Sequence, residues 1–288
     1  MLELVRAERR EQPRLGVRKI HYLIQRELKQ AGVKLGRDRL FEELAKAGLL
    51  VERKRSEWPK TTNFNPNLPV FKNLIKGGKI TGRNQVWVAD ITYIRTREGF
   101  LYLALITDRW SRKIVGFDLG ETLEAAGSLK ALAMGLKGLQ RREKPIHHSD
   151  RGCQYASHAY VARVEQAGLR MSMTEKNHNA ENAMAERVNG ILKQEYWLDA
   201  DFATKQEARQ ASAQGIHLYN HRRPHTALGF KTPGQVHDDV PKNSVNFSLT
   251  PELRSGSLRS PPLRSGVREK RNNNKQQPDS KHQIFFRT

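Results

Sequence analysis

The sequence predicts an α/β fold in which a mixed β-sheet carries helices on both sides. Three observations lead there. Three runs of strand character follow one another over about residues 85–95, 100–107 and 113–119, joined through Glu98-Gly99 and the Asp108-Arg109-Trp110-Ser111 turn. Short strands and helical stripes then alternate: a helix from Thr122, a strand over Pro145–His148, a helix over 157–167, a strand over 169–173 and a helix from about Asn182 to Gln194. A separate helical pair precedes the sheet, so 288 residues are expected to hold about two domains.

The helical pair occupies residues 13–50. Val17, Ile20, Ile24 and Leu28 form one stripe and Leu40, Phe41 and Leu44 another, with Gly32 and Gly48 just past the helix ends. Residues 53–80 include three prolines and Gly77-Gly78 and lack sustained periodicity, which predicts a basic linker. In the core, Ala125, Ala126, Leu129, Leu132 and Leu136 recur at helical spacing, and Thr204 with Glu207 has the form of a capping box that opens a last long helix. Trp87, Trp110 and Trp197 are expected in the core. From about Val240 the repeated LRS words and the NNNKQQP stretch predict a disordered, basic tail.

Three acidic residues stand out within this frame. In the first strand Val86, Val88, Asp90, Thr92 and Ile94 share one face, and a buried carboxylate there needs either a proton or a cation. An edge strand facing water is the alternative. Asp150 follows a short strand and precedes Arg151-Gly152, at the carboxyl end where α/β sheets open their crevices. The adjacent His147 and His148 point to opposite faces, which argues against shared chelation and for one core-facing and one surface histidine. Glu186 lies on a helix whose Met184, Val188 and Ile191 form the apolar stripe, while Asn182, Asn189 and Lys193 line its other side with Glu186. Lys193 is two turns beyond Glu186 and lies within roughly 20° of it around the helix.

Composition narrows the partners. Lys and Arg number 51 against 30 Asp and Glu, a net charge of +21, and the first 60 residues, the middle and the last 39 are each net basic. Such a chain seeks a polyanion along much of its length. No run approaches the ~18 apolar residues of a membrane span, and MLELVRAERREQ has no apolar signal core, so a cytoplasmic protein with no membrane partner is expected. Cys153 is the single cysteine, which excludes intramolecular disulfides and cysteine-based zinc clusters within one chain.

Taken together, WVADITYI, YLALITDRWSRKIVGFDL, IHHSDRGCQYAS, ENAMAERVNGILKQEY and YNHRRPHTALGFKTPGQVH, in that order and with 35 residues between Asp150 and Glu186, resemble the DDE transposases of bacterial insertion sequences, specifically the second-reading-frame product, and more distantly retroviral integrases. The resemblance implies a ribonuclease H-like core over residues 81–240. It also implies a helix-turn-helix-like DNA-binding segment over 1–52, the linker at 53–80, and leaves 241–288 as the tail. Asp90, Asp150 and Glu186 would be catalytic and would hold two Mg²⁺ ions, with Mn²⁺ able to substitute. Lys193, Asn182, Asn189, Arg151, Arg222 and Arg223 are the candidates for DNA contact.

The implied reaction is cleavage at the ends of an insertion sequence followed by transfer of the freed 3′-hydroxyl into target DNA, which needs no GxxxxGK[ST] phosphate loop. The implied partners are double-stranded DNA with its terminal inverted repeats, further copies of the chain on that DNA, and a fused or associated product of an upstream frame. A nucleoid-associated location in a bacterial cytoplasm follows from the same resemblance. A nuclease of the same fold that does not join ends, and a DNA-binding regulator with an idle triad, are the two other readings.

Overall fold

The computed structural model describes residues 1–51, 68–175 and 182–239. The expected tail at 241–288 and residues 53–67 of the expected linker therefore lie outside the described residues.

Three helices open the chain: α1 (Leu2–Glu11), α2 (Val17–Gln30) and α3 (Arg37–Lys46). The sequence pattern missed α1, whose one fully enclosed apolar side chain, Val5, leaves little periodicity to detect. Val5, Leu15, Ile20, Ile24, Leu28, Leu40 and Leu44 form a small core of their own. Phe41, expected in that core, is 50% exposed, because Leu40 and Leu44 alone define the inward face of α3. Both α2 and α3 end in a Schellman motif. Gly32 (φ 69°) and Gly48 (φ 64°) take the left-handed conformation, and the N–H groups of Val33 and Leu49 reach the Leu28 and Leu44 carbonyls.

The sheet follows as β1 (Val86–Thr96), β2 (Gly99–Asp108), β3 (Ile114–Gly120), β4 (Ile146–Ser149) and β5 (Arg170–Met173), in the spatial order β3-β2-β1-β4-β5. The first three strands form an antiparallel meander, while β4 and β5 run parallel to β1. Helices α4 (Ala125–Lys137), α5 (Cys153–Ala156) and α6 (His158–Gln166) cover one face, and α7 (Ala183–Glu195) and α8 (Lys205–His221) the other. This is the mixed, two-sided α/β architecture that the element order predicts, with α4 starting at Ala125 rather than Thr122.

The alternation along β1 decides which residue meets which layer. Trp87 and Ala89 pack with Ala104, Ile106, Ala131 and Leu132 under α4. Ile94, with Leu101, Leu103 and Leu105 of β2, packs against Val188, Ile191 and Leu192 of α7. Gly116 of β3 lets α4 approach so closely that a Cβ there would overlap the Ala131 carbonyl.

Several local expectations are corrected. His147 and His148 are both fully buried, because β4 is an interior strand covered on both faces. His147 shares a 2.8 Å hydrogen bond with the Tyr160 hydroxyl and His148 a 2.9 Å one with Ser172 Oγ. Trp87 is in the core, but Trp110 is half-buried and Trp197 is 44% exposed, in the left-handed region (φ 62°) under the Arg14 guanidinium. Thr204 does cap α8 by accepting from the Glu207 N–H, yet the Glu207 carboxylate takes the Ala203 N–H rather than that of Thr204. A complete capping box forms instead at Thr232 and Gln235, opening the short α9 (Pro233–Asp238). Residues 68–80 of the expected linker are fixed to the core: Ile75 is buried with Val86 and Val88, and the N–H groups of Asn73 and Leu74 bond Glu175 Oε1 and Ser172 Oγ. Apolar anchors spaced without periodicity hold irregular chain in place there.

Candidate active site

Asp90 lies in the middle of β1, the central strand in the sheet order, and is half-buried under α7 rather than open to water as the edge-strand alternative would have it. β4 accompanies β1 only from Val86 to Val88. Beyond that point the free edge of β1 receives α7 instead. Asn182, at the start of α7, donates to the Ala89 carbonyl at 3.3 Å, and Asn189 Nδ2 donates to Asp90 Oδ2 at 2.8 Å. The Ile91 N–H occupies the other carboxylate oxygen at 2.9 Å.

Asp90 is strongly perturbed. Burial, then the charge of Asp150, push its carboxyl up to about 7, against the hydrogen bonds from Asn189 and Ile91, and Glu186 adds a further upward push. Asp150 follows β4 directly, with Oδ1 accepting the Gly152 N–H at 2.9 Å. A Cβ on Gly152 would crowd that same oxygen, so glycine suits the tight turn. Glu186 stands exposed in the first turn of α7, a favourable place for an acid at a helix N-terminus. Burial and then Asp150 raise its carboxyl as well.

The three acids therefore share one electrostatic neighbourhood, supplied by the middle of a strand, the end of a strand and the first turn of a helix. Among the described residues no three acid, histidine or cysteine side chains stand in a closed chelating arrangement.

Lys193 is 8% exposed, and its ammonium lies 4.5 Å from the centroid of the Tyr93 ring. Burial lowers it to about 8, opposed by the charges of Asp90 and Asp199. Lys193 therefore stands in the field of Asp90.

The remaining candidates divide. Asn182 and Asn189 are buried and turned toward β1, so in this arrangement they hold the strand and the carboxylate. Arg151 is half-buried, with Nε donating to the Thr174 carbonyl at 2.8 Å, which ties the Asp150 turn to the end of β5. Arg222 is exposed and pairs with Glu11 at 3.1 Å. Arg223 is 2% exposed and grips Glu195 through two hydrogen bonds of 2.9 and 2.8 Å, so it is not available to a DNA surface here.

Sequence reasoning also passed over Tyr155. It is buried beneath the site, where burial first and then Tyr160, Asp90 and Asp150 raise its hydroxyl. Its place in the HHSDRGCQYAS motif was the available signal.

With this geometry in hand, the integrase core domain family model matches residues 81–179, and a second integrase core domain model matches residues 167–233. The insertion element IS600 uncharacterized 31 kDa protein of Shigella sonnei is 39% identical over 234 residues, spanning 81% of this chain and 84% of that protein. With the transposases for insertion sequences IS629 and IS3A matching at 32% and 34% identity, the chain belongs to the insertion-sequence transposases.

The transposase for insertion sequence element IS629 of Shigella sonnei is 32% identical over 77% of this chain and 73% of its own length. Transposase InsF for insertion sequence IS3A of Escherichia coli (strain K12) is 34% identical over 73% of each. Among solved structures, the simian T-cell lymphotropic virus intasome in complex with PP2A regulatory subunit B56 gamma superposes with a TM-score of 0.51 at 18% identity, over 82% of this chain and 79% of that one. That likeness shows the shared ribonuclease H-like fold. The activity of this transposase is DNA transposition, a polynucleotidyl transfer. Among the described residues no helix is long and apolar enough to cross a membrane.

Proposed function

We propose that Asp90, Asp150 and Glu186 are the catalytic acids and that they hold two divalent ions, Mg²⁺ by default with Mn²⁺ able to replace it. The observation that carries this is the convergence of the Asp150 and Glu186 charges on Asp90, a carboxylate that Asn189 and the Ile91 N–H hold in one orientation. The donor set fits hard cations: it is all oxygen, it carries three formal negative charges, and a cation relieves the cost of keeping Asp90 ionised. When bound, such ions clamp the attacking and leaving oxygens of an in-line phosphoryl displacement.

The chain's own residues orient the acids and the DNA. Asn189 fixes Asp90, Gly152 and Arg151 fix the Asp150 turn, and Lys193 places a positive charge beside Asp90 where a phosphate would sit. In the first step a water oxygen bonds to phosphorus at the element's end and the bond to the 3′-oxygen breaks, leaving a 3′-hydroxyl. In the second step that 3′-oxygen bonds to a target phosphorus and the target's own 3′-oxygen leaves. One phosphodiester is exchanged for another in the second step, so no nucleotide hydrolysis is required.

The division of labour we propose assigns residues 1–52 to binding the terminal repeats, 53–80 to connection, 81–240 to catalysis and 241–288 to a basic tail. Arg222, on the exposed side of the YNHRRPH segment, is the arginine of that pair proposed to meet DNA. Further copies of the chain assemble on the DNA, and the upstream-frame product supplies added site recognition. A location in the bacterial cytoplasm, on the nucleoid, belongs to the same reading.

The test uses purified protein, Mg²⁺ or Mn²⁺, and labelled DNA carrying the repeats that flank the gene, beside Glu186→Gln. Cleaved and joined products are expected with the intact chain, or with its upstream-frame fusion, and a loss on the order of a thousandfold with the variant. Cleavage without joining identifies a nuclease instead. Binding without metal-dependent strand breakage, even by the fusion, identifies an idle regulator.

A further inference from the structure

The proposed chemistry leaves one exposed feature beside the site unused. Tyr93 pairs with Tyr102 and Arg95 with Phe100 across β1 and β2, so these four residues share one face of the hairpin. On that face Ile91 and Ala104 pack in the core under α4 and Tyr93 is still buried. Phe100, beyond it, is 46% exposed. Its ring meets Tyr93 edge-on at a centroid distance of 5.6 Å, and the Arg95 guanidinium lies 5.9 Å from its centroid. Tyr93 in turn carries the Lys193 ammonium on its ring. Two aromatic rings, Tyr93 and the exposed Phe100, therefore lie between two cations, Lys193 near Asp90 and Arg95 toward the hairpin tip.

The support under that phenyl is rigid. Thr96 Oγ1 closes the hairpin by donating to the Gly99 carbonyl at 2.7 Å, and the Arg97 N–H bonds the Phe202 carbonyl at 2.9 Å. Glu98, the one acid in the tip, accepts the Lys205 N–H at 2.8 Å, while Arg95 and Arg97 remain exposed. A fixed aromatic face flanked by positive charge matches a nucleotide better than an apolar protein surface, because every base has a π-face and every linkage a negative charge.

We propose that Phe100, flanked by Arg95, is a stacking platform for one unpaired base of the DNA strand held at the three acids. This rests on the transposase reading. Arg95 is five residues from Asp90, about 17 Å along an extended strand and on the opposite face of β1, so the base is about five or more nucleotides from the scissile phosphate at duplex rise.

The probe is a duplex ending in the gene's flanking repeat and carrying a short unpaired overhang with 2-aminopurine at successive positions. Fluorescence is read on adding the full chain without divalent metal. Quenching is expected to peak at one overhang position, to vanish in Phe100→Ala and to survive in Phe100→Tyr. Phe100→Ala should weaken overhang binding about 5- to 150-fold and leave blunt duplex binding unchanged. Equal quenching by the Ala variant and the parent, or equal weakening on blunt duplex, overturns the proposal. A changed sedimentation coefficient of the DNA-free Ala variant, with unchanged melting temperature, assigns the surface to a protein contact and overturns it too. Failure of the transposase reading is recorded separately, as absence of cleavage and joining by the parent chain and its fusion on the same DNA.

Discussion

Asp90 sits where a carboxylate is poorly solvated, and its environment makes a prediction about stability as well as chemistry. Burial and then Asp150 raise it from 3.8 to about 7. Below about pH 4 the group is protonated in both folded and unfolded chains and costs nothing. As pH rises toward about 7 the unfolded chain ionises first, the folded chain binds more protons, and stability falls across that window before levelling off. Asp90→Asn removes the penalty while keeping an acceptor for Asn189. In metal-free protein it should therefore raise the melting temperature more at pH 8 than at pH 5, with a stabilisation of about 1–3 kcal/mol at the higher pH. Thermal melts at both values check this, and a loss, or equal gains, would count against a strained carboxylate. The alternation along β1 marked Asp90 in the sequence. Its partner Asn189 could not be assigned from spacing, because the pair is 99 residues apart and meets only when α7 crosses the strand edge.

At the scale of elements, α7 ties the site to the rest of the molecule. Asn189 bonds Asp90, Glu186 and Lys193 add their charges beside it, Val188, Ile191 and Leu192 bind the sheet, and its last residue, Glu195, joins Arg223 at 2.8 Å and Lys19 of α2 at 2.8 Å. Burial alone would raise the Glu195 carboxyl, but hydrogen bonds and charge from Arg223, then Lys19, hold it below the ordinary value. Its contribution is thus present above the usual carboxylate range and lost on acidification through the folded value. Glu195→Gln leaves Arg223 buried with a weaker partner and is expected to cost about 3–5 kcal/mol at pH 7, with a smaller difference in acid. Denaturant titrations at neutral and acid pH measure both numbers.

Element types and order were legible because strands alternate with period two and helices repeat near 3.6 residues. What the patterns missed were elements whose signal is not periodic: α1, the anchored chain at 68–80, and the buried network in which Asp108, Ser111 and His237 join the β2–β3 turn to α9.

For the whole molecule, charge and docking act together. The N-terminal helices join the sheet-bearing part of the molecule through Arg14–Asp199 at 3.1 Å, Lys19–Glu195 and the stacked Tyr22–Phe230 pair at 4.7 Å, so α2 is attached to the helix that carries Glu186. With a net charge of +21 spread along the chain, DNA affinity should be dominated by counterion release. If six to ten phosphates are contacted, duplex affinity should fall by about 10³- to 10⁵-fold between about 50 and 200 mM salt. Anisotropy titrations across that range test it, and a salt-independent affinity would remove the electrostatic account of binding.

The sequence by itself determined the order of elements from the first sheet strand on, an acid on one face of that strand, the placement of Asp150 and Glu186 at a strand end and on a helix, and the basic character of the chain. These are local or compositional properties, written in periodicity, spacing and charge. Only the tertiary structure decided that Asn189 holds Asp90, that Arg223 is spent on Glu195 while Arg222 stays exposed, that both histidines before Asp150 are buried, and that Tyr93 and Phe100 lie between Lys193 and Arg95. Each of those depends on which distant segment covers a side chain, and that is set by packing across the sheet rather than by neighbours along the chain.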